Sequence, residues 1–284
     1  MKRFGIFLMV AMLILGMAGI SAAETTLEKI KRTGVFTIGT RTGSAPFAYI
    51  NKQNEWVGFS IDLAGLVHKN IEKKLGQSVK FELKESAPAT RIPLLSSMAV
   101  DLISGTMTDT RPRRENVDFS LTFFITGAQF IVKKGSPIRG VQDVGGRRIS
   151  SVQGSTNERE LRARYPQAIL VIFPDQPAAF TAMTQGKVDA YTNDGIQLWG
   201  LKYKAPNPDD WEVVGEMYTY EPYGMAMRKN DSDFRHVVNV ALMEAIEGGV
   251  YFKLYDKWFG PKSETPYPLS PEARNFLMLQ VVPK

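Results

Sequence analysis

The chain contains no cysteine. That absence excludes disulfides, thiolate metal ligands and a cysteine nucleophile. It also excludes a lipid-bearing N-terminal cysteine after export. Histidine is scarce. The two present, His68 and His236, fall in helical segments with no cluster of other ligands around them, so the sequence offers no metal set and no imidazole base. Lys and Arg number 35 against 29 acidic residues, a formal charge of +6 to which Lys2 and Arg3 contribute. They form no basic tract of the kind that binds nucleic acid, and the excess favours anionic ligands only mildly. A nucleophile paired with a base and a glycine-rich phosphate loop are both missing, so nothing in the sequence calls for catalysis or a cofactor.

What is present begins with one long apolar run, Phe4 to Ile20, behind Lys2 and Arg3 and ahead of Ser21-Ala22-Ala23. A basic start, an apolar stretch too short to span comfortably and small residues at its end make a cleavable secretory signal over residues 1–23. The expected mature chain starts at Glu24, exported to the periplasm. With 284 residues, 44% hydrophobic and 23% charged, the remainder has ample material for one large domain or two lobes.

Up to residue 103 the mature chain alternates helix and strand. A short helix from Thr26 ends near Gly34, strand Val35 to Gly39 follows, and a helix runs to about Leu75 with Gly76 behind it. Val79 to Leu83, a helix from Arg91 to Met98 and Val100 to Ile103 complete this part, an order that implies a largely parallel sheet. Phe123 to Val132 has no helical period and reads as an extended crossing. A second alternating series follows: strand Arg148 to Val152, helix Asn157 to Tyr165, strand Ile169 to Phe173, helix Pro177 to Gln185 and strand Val188 to Thr192. Glu221 to Arg228 reads as a returning crossing, and two helices close the chain.

The stretch Val100–Ser120 carries the chemistry. A buried strand runs into Ser104-Gly105-Thr106-Met107-Thr108, and Thr110 or Asp109 caps a short helix containing Pro112 and Arg113. Open α/β sheets hold ligands at such strand ends, and an arginine fork suits a carboxylate. Val100–Thr106 also overlays on Val188–Asp194, which places Thr106 and Asp194 at equivalent strand ends of two lobes. A hydroxyl, an arginine and a carboxylate facing one cleft match a zwitterion, with Arg113 for the α-carboxylate and Asp194 for the ammonium.

Gly58-Phe59-Ser60-Ile61-Asp62-Leu63, Gly105-Thr106-Met107-Thr108, Arg113 and Phe119-Ser120 together resemble the periplasmic amino-acid-binding proteins of ABC importers, the family 3 solute-binding proteins. Arg91-Ile92-Pro93-Leu94-Leu95, Trp211-Glu212-Val213-Val214-Gly215, Tyr223-Gly224 and Asp256-Lys257-Trp258-Phe259 are similar to the glutamate/aspartate-binding group. The resemblance implies an α/β, two-lobed type II periplasmic-binding-protein fold, each lobe a mostly parallel sheet flanked by helices, joined by two hinge crossings. Lobe one is residues 24–126 and 224–284, and lobe two is 127–223. It implies an exported monomer that closes on glutamate or aspartate and hands it to a membrane ABC permease. By position, Thr106, Thr108 and Arg113 fall at the α-carboxylate clamp and Asp194 at the ammonium partner. Ser155 falls at the second lobe's hydroxyl, and Arg41 and Arg91 at the grip on the side-chain carboxylate. Gln176 stands where a histidine is usual, Pro88 where a serine is usual and Ser60 where an acid is common; the cysteines of some relatives are missing. Two alternatives stay open: a periplasmic cyclohexadienyl dehydratase on the same scaffold, which needs an acid poised over a substrate ring, and a ligand sensor.

Overall fold

The computed structural model describes residues 24–283; the expected signal segment lies outside the described residues. In chain order the elements are helix α1 (Thr26–Thr33), strands β1 (Val35–Thr40), β2 (Gly43–Ser44), β3 (Ala48–Ile50) and β4 (Trp56–Val57), helix α2 (Phe59–Leu75), strand β5 (Lys80–Glu85), helix α3 (Arg91–Ser96), strand β6 (Leu102–Ile103), helix α4 (Arg111–Arg114), and strands β7 (Val117–Phe119), β8 (Phe124–Thr126) and β9 (Ala128–Lys133). Then follow β10 (Arg148–Val152), α5 (Thr156–Arg164), β11 (Ile169–Phe173), α6 (Gln176–Thr184), β12 (Ala190–Asp194), α7 (Gly195–Lys204), β13 (Trp211–Val214), β14 (Glu221–Tyr223), β15 (Ala226–Arg228), α8 (Ser232–Glu247), α9 (Val250–Phe259) and α10 (Pro271–Leu279).

Local chemistry accounts for the helix ends. Thr25 and Glu28 form a reciprocal capping box at the start of α1, and Gly34 closes it with φ 68, a left-handed conformation that glycine adopts without a Cβ penalty. Thr110 caps α4 by accepting from the Arg113 N–H, with proline in the first turn. Ser155 caps α5 by accepting from the Glu158 N–H. The caps of α4 and α5 lie at the candidate site itself, beside Arg113 and at Ser155.

Two five-stranded sheets organise the chain, in the orders β5-β1-β6-β15-β7 and β11-β10-β12-β9-β13. In the first, β5, β1 and β6 run parallel and β15 is antiparallel to both β6 and β7. In the second, β11, β10 and β12 run parallel and β9 is antiparallel to both β12 and β13. The sheets are therefore more evenly mixed than the sequence predicts. The strands that leave and re-enter the crossings, β9 and β15, come from the opposite end, so they pair antiparallel. The sequence overlay corresponds to a real equivalence: β6 and β12 are each the central strand, parallel to one neighbour and antiparallel to the other.

The chain passes between the sheets at β8 and β14, which pair antiparallel with Tyr223 opposite Phe124 and Glu221 opposite Thr126. These crossings are anchored in an aromatic core. Phe47 meets Phe124 at 4.8 Å between ring centroids and Tyr223 and Phe259 at 5.4 Å each. Phe47 is wholly buried, so it belongs to the core. Burying each such ring contributes about 1.5–3 kcal/mol. Within residues 43–57 lies a small three-stranded sheet, β2-β3-β4. Among the described residues no helix is long and apolar enough to cross a membrane.

Candidate functional site

The carboxyl ends of the central strands face one another across the crossings, where an open α/β sheet holds its ligand. Seven of the eight residues singled out in the sequence line one cavity there: Arg41, Arg91, Thr106, Thr108, Arg113, Ser155 and Asp194. Arg41 follows β1, Thr106 and Thr108 follow β6, Arg113 rides on α4, Ser155 precedes α5 and Asp194 ends β12. Pro88 is also in the wall. Gln176 is not. It is buried one layer behind, where its Oε1 accepts from Ser44 Oγ at 3.1 Å and from Asn193 Nδ2 at 3.2 Å. Asn193 occupies the wall instead, so Gln176 reaches the cavity only through a neighbour.

The polar groups are tightly held. Arg91 is 2% exposed; its Nη1 donates to the Thr106 carbonyl at 2.9 Å, while Nε and Nη2 are buried with no hydrogen-bond partner. Arg113 donates from Nη1 to the Thr108 carbonyl at 2.8 Å and from Nη2 to the Gly154 carbonyl at 3.3 Å, bridging the two sheets. Asp194 accepts from Asn157 Nδ2 at 2.9 Å, from Gln197 Nε2 at 3.1 Å and from the Tyr223 hydroxyl. Glu221, on β14 and 2% exposed, accepts from Thr108 Oγ1 at 2.5 Å and Thr156 Oγ1 at 2.7 Å.

Burial governs the electrostatics. Desolvation lowers the pKa of Arg41, Arg91 and Arg113, and for Arg91 the neighbouring charges of Arg41 and Arg113 lower it further. Desolvation, and then the charge of Glu221, push Asp194 up to about 7 against the donors from Tyr223 and Gln197. The Tyr223 phenol is held well above its ordinary range, first by burial and then by the charge of Asp194, which keeps it a proton donor to that carboxylate.

The cavity is nearly closed. Its volume is about 20 Å³, room for about one water molecule, so an amino acid enters only when the two sides part. Roomier cavities of about 440 and 730 Å³ lie beneath α10 and beside α7, but neither gathers converging arginines. Thr156, Asn157, Gln197 and Glu221 escaped the sequence reading. Ser155 drew attention to the start of α5, yet Thr156 and Asn157 are its more buried residues. Glu221 had a visible signal, an acid at the start of a crossing that is otherwise apolar as far as Met227.

The family model for bacterial extracellular solute-binding proteins, family 3, matches residues 36–261. The chain belongs to this family. Among curated relatives, this solute-binding protein is 35% identical over 245 residues to the ABC transporter glutamine-binding protein GlnH of Bacillus subtilis, covering 86% of this chain and 88% of that one. It is 32% identical over 262 residues to a glutamate/aspartate import solute-binding protein of Salmonella typhimurium, covering 88% and 87%. Among solved structures it resembles the ancestral amino acid-binding protein AncCDT-1, a precursor of cyclohexadienyl dehydratase, with a TM-score of 0.72 at 29% identity over 83% of this chain and 100% of that one. The fold is thus the two-lobed type II periplasmic-binding-protein fold that the sequence resemblance implies.

Proposed function

We propose that this solute-binding protein captures an acidic amino acid, glutamate or aspartate, between its two lobes and delivers it from the periplasm to an ABC permease. In this reading residues 1–23 are a cleaved export signal, residues 24–126 and 224–284 make one lobe and residues 127–223 the other, with β8 and β14 as the hinge. The observation that carries the ligand class is the charge in the cavity. Its wall bears three guanidinium groups against the one carboxylate of Asp194, with Glu221 directly behind. One positive charge is in surplus, and a dicarboxylic amino acid brings one net negative charge. Glutamine brings none, and a basic amino acid adds to the excess.

Each group of such a ligand has a partner. Arg113 and the N–H groups opening α5 suit the α-carboxylate, and Asp194 suits the ammonium. Arg91, with two buried unpartnered nitrogens, and Arg41 suit the side-chain carboxylate. Leaving a buried guanidinium without an anion is costly, so a neutral ligand binds less well. The second reading is glutamine, favoured by the identity to GlnH. Competition calorimetry of the purified mature chain with glutamate, aspartate, glutamine and asparagine decides. Tighter binding of an amide, or of arginine, overturns the acidic assignment. Turnover of prephenate or arogenate would instead favour an enzyme.

A further inference from the structure

Glu221 has no place in the clamp described so far, yet it is hydrogen-bonded to two residues of the cavity wall. It lies on the second hinge strand, and one of its carboxylate oxygens, Oε2, accepts both the Thr108 hydroxyl at 2.5 Å and the Thr156 hydroxyl at 2.7 Å. Thr108 follows β6 of the first sheet, and Thr156 opens α5 beside the second. Both line the cavity. A threonine hydroxyl has a single proton to donate. Once that proton is committed to Glu221, the hydroxyl has only lone pairs left for a ligand. The Thr156 proton has a second acceptor within reach, Asn157 Oδ1 at 3.1 Å, but the carboxylate is nearer and a charged acceptor is the stronger one.

We propose that Glu221 is the positioning residue of the ammonium subsite: by taking the hydroxyl protons of Thr108 and Thr156 it turns both oxygens toward the ligand as acceptors and so makes the site demand an α-ammonium group. The proposal rests on the reading of this cavity as an amino-acid site. Thr108 then serves the ammonium through its side chain, not the α-carboxylate, and Asp194 and Glu221 act on the same group from two sides, one directly and one through hydroxyls. A ligand that keeps the carboxylates but lacks the ammonium offers no donor to these two oxygens or to Asp194 and leaves them buried and unsatisfied.

The test compares L-glutamate with glutarate, which keeps both carboxylates and lacks the ammonium, by calorimetry on the mature protein. Wild type binds glutamate far more tightly than glutarate. In Glu221→Gln the ratio of the two affinities falls by about tenfold or more, the scale of one charge-assisted hydrogen bond, chiefly through lost glutamate affinity. Thr108→Val and Thr156→Val change no charge and keep the side-chain shape, and each shrinks the ratio too. These two variants also decide the matter if Glu221→Gln does not fold. A loss of general packing would weaken both ligands alike and leave the ratio where it was, so an unchanged ratio in Glu221→Gln, or in both valine variants, overturns the proposal. If wild type takes glutamine instead of glutamate, the acidic reading fails on its own, and the same comparison between glutamine and its des-amino analogue still tests Glu221.

Discussion

Tyr223 donates its hydroxyl proton to Asp194, and it does so from the hinge. Its ring is packed in the aromatic core beside Phe47 and Phe124, while Asp194 ends the central strand of the other sheet. The residue proposed to hold the ligand's ammonium is therefore oriented by one of the two strands that cross between the sheets. The bond favours the ionised carboxylate, whereas burial and Glu221 favour the protonated one, and the balance leaves Asp194 at about 7.

This balance makes binding pH-dependent. An ammonium ligand needs Asp194 ionised, so below pH 7 binding requires loss of a proton and affinity falls by up to about tenfold per pH unit. Tyr223→Phe removes a donor to the carboxylate and moves the fall to higher pH; Asp194→Asn binds weakly at every pH and abolishes the dependence. Calorimetry from pH 5.5 to 8.5 checks all three. Stability of the free protein runs the other way. The folded-state pKa lies above the ordinary aspartate value of 3.8, so the folded chain holds a proton that the unfolded chain releases. Asp194's contribution is fully present below about pH 3.8 and is lost as pH rises through about 7. Thermal melts of wild type against Asp194→Asn show that loss as a difference that grows from pH 5 to 8. A flat difference places the carboxylate outside this equilibrium.

In the proposed clamp Arg113 and Asp194 hold groups common to all amino acids, so their loss is felt with any ligand. Truncating one partner of a buried charge pair costs about 2–5 kcal/mol. Arg113→Ala and Asp194→Ala each weaken binding by about 30-fold or more, with circular dichroism unchanged. Near-wild-type affinity in either variant removes that residue from the clamp.

Several of these features are legible in the sequence because they are local. Gly34 and Gly76 stop helices by adopting φ 68 and φ 65, and Thr110 and Ser155 announce the helix starts that they cap. The Val-Asp strand pair is readable because β6 and β12 occupy the same place in their sheets. Other features depend on contacts far apart in the chain. Glu221 meets Thr108 across 113 residues and Thr156 across 65, and no local pattern records either pairing. Gln176 stands at the expected point in the sequence, but Asn193 lies between it and the cavity. The hairpins of β2, β3 and β4 are too short to show an alternating pattern. The α10 helix begins at Pro271, behind the proline-rich stretch that follows Gly260.

In the proposed assignment, specificity rests on Arg91. Two of its nitrogens are buried without a partner, so they have most to gain from a second carboxylate. Arg91→Met keeps much of the stem and removes the charge. Glutamate affinity drops by about tenfold or more, glutamine affinity changes little, and the gap between them narrows. Competition calorimetry with the two ligands measures it. An equal loss for both means that Arg91 supports Thr106 and does not read the side chain.

Gly200 sits within α7, against the backbone of Ala45 in the turn between β2 and β3. A Cβ at Gly200 would stand 2.5 Å from the Ala45 carbonyl oxygen and 3.1 Å from its carbon. Those are backbone atoms, which cannot swing aside as a side chain can, so the added methyl holds the two sides apart. Within the helix the same change is favourable, since alanine is better than glycine in a helix interior by about 0.8–1 kcal/mol. Gly200→Ala thus separates local stability from closure. Without ligand, the melting temperature is unchanged or higher. With glutamate, affinity falls by about tenfold or more, because the closed form becomes a minor population and apparent affinity scales with it. The ligand-induced rise in melting temperature shrinks accordingly. Small-angle scattering at saturating ligand shows a more extended particle than wild type. Unimpaired binding together with an unchanged radius would mean that α7 yields to the methyl group, and that the contact between Gly200 and Ala45 does not limit closure.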